Sequence, residues 1–237
     1  MDRGAREGTA RVTASAVDRR RESVEPSGTN RDSARALDGA AVLLLHEVAF
    51  AGGWEEGVLV RLRQAGFVAA AHALSDVALE SDRRALPELD RALDALRKEP
   101  GVDAERLGVL GFGRGGTLAF LLGCTRRLAA LVDVEGPVIH PALSPERPTQ
   151  PLELGLNLEG AFLGVFAERG AVGAEERGLL HGRLSSAARP FELVVVPGAG
   201  RGFFDPRGAS YDAARTEQLW ARALAFLHEH LASESDT

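Results

Sequence analysis

From Ala40 onward the chain alternates short, unbroken apolar runs with longer stretches in which apolar side chains recur every three or four residues. An unbroken run suits a strand buried on both faces, and the three-to-four spacing suits a helix that shows one stripe to a core. Six runs predict strands, at 40–45, 67–71, 107–110, 128–134, 161–166 and 191–196. Helices are predicted at 54–64, at 81–98 (on Leu86, Leu89, Leu93 and Leu96, before Pro100) and through 117–123. A last helix, about 210–231, carries Leu219, Trp220, Ala223, Phe226 and Leu227 on one face. The stretch 137–150, with Pro141, Pro145 and Pro148, reads as a long loop, and no internal repeat is present. This alternation predicts an α/β fold: a mostly parallel central sheet with helices on both faces.

Residues 1–37 break the pattern. They are rich in Arg, Ser, Thr, Ala and Gly and nearly free of large apolar side chains. Such a segment cannot bury enough surface to offset its ordering entropy, so we expect a disordered tail at 1–37 and one domain at 38–237. Its Arg19-Arg20-Arg21 cluster is diluted by acidic neighbours and reads as solvated. A hydrophobic content of 45% over 237 residues is ample for a core, and a net charge of -6 gives no case for nucleic acid or an anionic membrane. No apolar stretch reaches the ~20 residues that span a bilayer. The single cysteine, Cys124, excludes an internal disulfide framework. With no apolar secretory core at the N-terminus, the expected location is the cytoplasm. No cofactor or metal is implied.

Candidate chemistry lies in three glycine-rich strand endings: Gly111-Phe112-Gly113-Arg114-Gly115-Gly116, Phe166-Ala167-Glu168-Arg169-Gly170, and Pro197-Gly198-Ala199-Gly200-Arg201-Gly202-Phe203. The first spells G-x-G-x-x-G after a strand and before a helix, with Asp133 and Glu135 downstream, so nucleotide binding at this turn is one alternative. Two strands precede it, however, whereas that fingerprint usually follows the first strand of its domain.

Taken with Leu45-His46-Glu47, these motifs resemble the dienelactone hydrolase family of α/β-hydrolases over about 39–231. The resemblance implies a nucleophile at position 113, a triad acid at 170 and a histidine at 201, with backbone oxyanion donors at Arg114 and Val48. The chain has Gly113, Gly170 and Arg201. Glycine offers no side chain, and arginine keeps its proton at any ordinary pH. A non-catalytic homologue that binds a small, anionic ligand or a partner is therefore expected. Its ligand residues would be His46, Glu47, Val48, Gly113, Arg114 and Arg201, with the elbow N–H groups open to an anion. In the competing expectation Arg201 pairs with Glu47 and plugs the cavity. A rearranged hydrolase, in which Glu47, His46 or His72 activates water, is the enzymatic alternative. Cys124 is expected to be a core thiol, Glu168 to have no histidine to orient, and Phe203 and Phe204 to pack. His140 and His181 are expected in loop or helix-surface settings, and His228 and His230 in solvent.

Overall fold

The computed structural model describes residues 37–47 and 53–232. The expectations for the tail, its arginine cluster and Val48 fall outside the described residues. Six strands form one sheet: β1 (Ala41–Glu47), β2 (Val68–Leu74), β3 (Leu107–Phe112), β4 (Ala130–Val134), β5 (Ala161–Arg169) and β6 (Phe191–Gly200). Their order is β2-β1-β3-β4-β5-β6, and every pairing is parallel. Among the described residues seven α-helices accompany them: α1 (Trp54–Gln64), α2 (Asp76–Glu80), α3 (Asp82–Arg97), α4 (Arg114–Gly123), α5 (Pro151–Leu154), α6 (Ala174–Ala187) and α7 (Ala213–Leu231).

Alternate strand residues feed two cores, as a pleated sheet covered on both faces requires. Val42, Leu44, Leu110 and Val132 pack with Leu62 of α1 and Leu219, Phe226 and Leu227 of α7. Leu43, Leu45, Val109 and Leu131 pack on the other face with Leu89 and Leu93 of α3, Leu118 and Leu122 of α4, and Leu180 of α6. Leu37, expected at the end of the tail, is 1% exposed and belongs to the first core.

The predicted helix at 54–64 matches α1, and the predicted strands at 40–45 and 107–110 run on to Glu47 and Phe112. Two expectations need correction. The Pro197–Gly200 part of the third glycine-rich turn is strand, because β6 stays paired with β5 as far as Arg169 opposite Gly200. Helices α2 and α6 also stand where the sequence showed no periodicity; α6 carries Gly178 and Gly182 and buries only Leu180 and Leu184.

Strand order reverses between β1 and β3, whose carboxyl ends carry Glu47 and, one residue past the strand, Gly113. In open parallel sheets the crevice forms at such a reversal, because the connections on either side diverge.

Candidate active site at the β1/β3 crevice

Four glycines allow helix α4 to sit almost on the sheet. A Cβ on Gly111 would lie 2.1 Å from the Gly115 carbonyl oxygen, one on Gly115 2.3 Å from that of Leu45, and one on Gly116 1.9 Å from Asp133 Oδ1. Gly113 turns the chain at φ 57°, ψ -122°. That backbone is strained for any residue with a side chain, by about 1–3 kcal/mol. The turn that aims a side chain into the crevice is thus intact, and no side chain is there. A Cβ on Gly113 would stand 3.1 Å from Glu47 Oε1.

The polar groups of the turn are already used. Gly113 N–H donates to the Val134 carbonyl (2.8 Å), and those of Gly116 and Thr117 donate to the Gly113 carbonyl. Arg114 N–H donates to Glu47 Oε1 at 3.3 Å. Hence the expected open anion site at the elbow is filled by the protein's own carboxylate, and a pyrophosphate would find these four N–H groups taken. Asp133, considered for a ribose, is fully buried within the sheet and accepts from Gly136 N–H at 2.7 Å. The nucleotide reading loses its phosphate cradle and the first of its two candidate acids, while Glu135 does reach the crevice.

Arg114 was expected near the elbow as a ligand residue. Its side chain instead runs to Asp82, with which it forms a buried ion pair, and to the Ala78 carbonyl. His140 Nε2 bonds the other oxygen of Asp82 at 2.8 Å. His140 thus lies in a loop, as expected, but as a buried member of a three-residue network. Gln150 clasps the His140 backbone from both sides, and Glu176 of α6 accepts the N–H groups of Val138 and Ile139. These bonds fix the long loop as one wall of the crevice.

The opposite wall comes from β4, β5 and the turn after β6. Glu135 has φ 65°, one of two non-glycine residues with positive φ among those described. Its carboxylate accepts the N–H group of Ala167, and the Gly202 amide lies near enough to act on it. It also fills the place of a side chain at 170: a Cβ on Gly170 would lie 2.5 Å and 2.8 Å from its two oxygens. Glu135 is 4% exposed, and its Oε2 has no hydrogen-bond partner. Burial raises its pKa, against the Ala167 and Gly202 amides and the nearby charge of Arg201.

These walls enclose a cavity of about 300 Å³, lined among others by Glu47, Gly113, Thr117, Glu135, Arg147 and Arg201. Arg114, His140, Ile139 and Phe204 also reach it. No ion pair joins Arg201 to Glu47 among the described residues; the charge of Arg201 acts on Glu135. His46 and His72 do not line the cavity: His46 Nδ1 bonds the Glu47 carbonyl, and His72, on edge strand β2, bonds Glu88 at 2.8 Å. Glu168 instead accepts Gly198 N–H at 2.8 Å. Thr117 donates its hydroxyl to the Pro137 carbonyl at 2.8 Å. Cys124 is a buried core thiol whose pKa burial pushes up to about 12. Phe203 and Phe204 pack as expected, the latter 4.8 Å from the Phe112 ring. His228 and His230, expected in solvent, are half-buried against Phe67 and Phe226. Among the described residues, no group of His, Cys, Asp or Glu could hold a metal ion, and no helix is long and apolar enough to cross a membrane.

The sequence offered Glu135 only as an acid for a nucleotide and not as the group that fills the space at Gly170, and it did not point to His140 or Arg147 as cavity residues or to Asp82 as the partner of His140. Only a carboxylate within reach of Gly170 in space would have signalled the first, and sequence spacing does not give that distance.

Known proteins match this architecture. A Bradyrhizobium protein assigned as a 2-oxo-3-(5-oxofuran-2-ylidene)propanoate lactonase is 25% identical over 154 residues, 65% of this chain and 62% of its own. A carboxymethylenebutenolidase-type protein of Saccharolobus solfataricus is 33% identical over 120 residues, covering 50% of this chain and 42% of its own. The chain thus spans less than two thirds of the length of these curated relatives. A dienelactone hydrolase structure from Klebsiella pneumoniae superposes with a TM-score of 0.71 at 24% identity, over 80% of this chain and 88% of the other. The dienelactone hydrolase family model matches residues 57–231, from α1 to the end of α7, and the chain belongs to that family.

Proposed function

We propose that this protein binds a small carboxylate-bearing molecule in the β1/β3 crevice and does not hydrolyse it through a covalent intermediate. One observation carries the reading: the nucleophile turn keeps its geometry around Gly113, and among the described residues no serine or cysteine lines the cavity. The lining hydroxyl of Thr117 is tied to a carbonyl, and the lining imidazole of His140 is tied to Asp82. Covalent catalysis needs a nucleophile within reach of its base, and these two groups are not so joined.

The ligand class follows from charge and from the relatives. Arg147 and Arg201 line the cavity beside apolar Ile139, Pro141 and Phe204. Guanidinium groups favour carboxylates through paired N–H donors. The relatives' names describe a lactone that bears a propanoate and a carboxymethylene butenolide. A planar unsaturated acid of that size suits a cavity at the small end of ligand sites. A reducing compartment such as the cytoplasm fits the lone buried thiol.

Two measurements test the reading. Purified protein should not hydrolyse p-nitrophenyl acetate above the buffer rate. Fumarate or benzoate should raise the Tm of the wild type, and Arg201→Ala should abolish that rise. Turnover by the unmodified protein would favour a rearranged hydrolase. Of the three side chains considered for water activation only Glu47 reaches the cavity, and Glu135 joins it there.

A further inference from the structure

We infer that Glu135 has taken over the place and task of the family's acid, so that only two positions of the triad are empty. The inference rests on family membership and not on the ligand reading. At position 170, where the family acid would stand, a side chain would have to displace the Glu135 carboxylate, whose oxygens lie 2.5 Å and 2.8 Å from where its Cβ would be. The carboxylate enters from β4, the strand beside β5, and neighbouring parallel strands are about 4.8 Å apart. A glutamate side chain bridges that gap. The positive φ of Glu135 turns it across β5, where Ala167 donates its N–H group to it.

Three features mark this as a positioning group. The amide of Gly202, the residue that follows position 201, lies close enough to act on the Glu135 carboxylate, which places Glu135 beside the loop that presents side chain 201. Its second oxygen is buried without a partner, and the residue lines the cavity. The charged side chain it faces from that loop is Arg201, which stands at the histidine position. Arg177 and Asp133, the other charged groups near it, come from α6 and β4. In the present protein Glu135 stands beside the Arg201 loop; beside a histidine it would orient the imidazole.

The test restores the two empty positions and leaves Glu135 alone. Gly113→Cys with Arg201→His should hydrolyse p-nitrophenyl acetate well above wild type. It should also be alkylated by iodoacetamide at a pH below that of an ordinary thiol, as an imidazole-paired thiol is. Cys124 stays silent in that assay because it is buried and its pKa is pushed up to about 12. Adding Glu135→Gln should cut kcat towards the ~10⁴-fold loss that neutralising a triad acid produces. It should also remove the low-pH alkylation, which a merely structural role would leave in place. Adding Gly170→Asp instead should give no gain. The inference fails if Glu135→Gln changes neither readout, if Gly170→Asp raises activity with Glu135 present, or if the folded double variant has an ordinary thiol and no turnover. Should the double variant not fold, thermal unfolding of the otherwise wild-type chain decides. Gly170→Asp should lower Tm, and Glu135→Gly should recover most of the loss. Tm shifts that simply add would overturn the shared position.

Discussion

At the scale of residues, glycines and one buried charge network do most of the shaping. Gly115 has the Leu45 carbonyl oxygen 2.3 Å from where its Cβ would be, and neither backbone can yield without parting α4 from the sheet. Gly115→Ala should therefore destabilise by at least the 1–3 kcal/mol of ordinary overpacking, read as a fall in the urea midpoint at unchanged slope. Asp82 holds both Arg114 and His140 out of water. Asp82→Ala would leave a buried guanidinium unpaired, a change that typically costs about 3–5 kcal/mol. Rescue by adding Arg114→Met would show that the unpaired charge causes the loss; no rescue would argue against it. These facts also explain what was legible in the site. The missing side chains at Gly113 and Gly170 and the arginine at 201 could be read directly, because absence is a property of one residue. The carboxylate that fills the space at Gly170 comes from 35 positions earlier in the chain, and Asp82 meets His140 across 58. Such partnerships are made by the sheet.

At the scale of elements, the unbroken apolar runs and leucine spacings were sufficient for the buried parts of the fold. Strand β3 and helix α7 are examples, since most of their pattern is dictated by burial on a sheet. Helix α6 escaped because it rests on two leucines and carries two glycines, so its helical form depends on tertiary packing more than on propensity. The end of β6 escaped for the opposite reason. Pro197-Gly198-Ala199-Gly200 has turn chemistry, yet Arg169 and Glu168 bond the Gly198 carbonyl and N–H and keep it paired. Helix α7 closes the first core with Trp220, whose ring lies 6.0 Å from that of Phe112, the residue that precedes the elbow glycine. Trp220→Ala should cost about 3–5 kcal/mol and should loosen the elbow as well. Faster amide exchange at Gly113 and Arg114 than at Leu43, in the same variant, would verify that link. Uniform acceleration would mean that α7 stabilises the molecule without a special hold on the turn.

At the scale of the whole molecule, the acids gathered at the β4 end make stability depend on pH. Burial raises the pKa of Asp133 well above the ordinary carboxylate range, against the Gly136 amide and with added repulsion from Glu135 and Glu176. A raised folded-state value means that the native protein holds this proton where the unfolded chain, with a value near 3.9, has lost it. Its contribution to stability is therefore complete below about pH 4 and is lost progressively as pH rises through the folded value. Burial acts on His228 in the other direction, lowering its pKa despite the Ala65 backbone bond. A folded histidine that resists protonation costs stability only as pH falls below the unfolded value of about 6.5. The two effects oppose each other, and a single substitution separates them. Asp133→Asn keeps the shape of the neutral acid and cannot ionise. Its advantage over wild type in urea unfolding should grow between pH 5 and pH 8, by at most about 1.4 kcal/mol per pH unit, while the acid-side loss from His228 stays in both proteins. An Asn variant that differs from wild type by the same amount at both pH values would show that the folded Asp133 is already ionised by pH 5, as in the unfolded chain. The proton would then have to be held elsewhere in the cluster, with Glu135 the next residue to test.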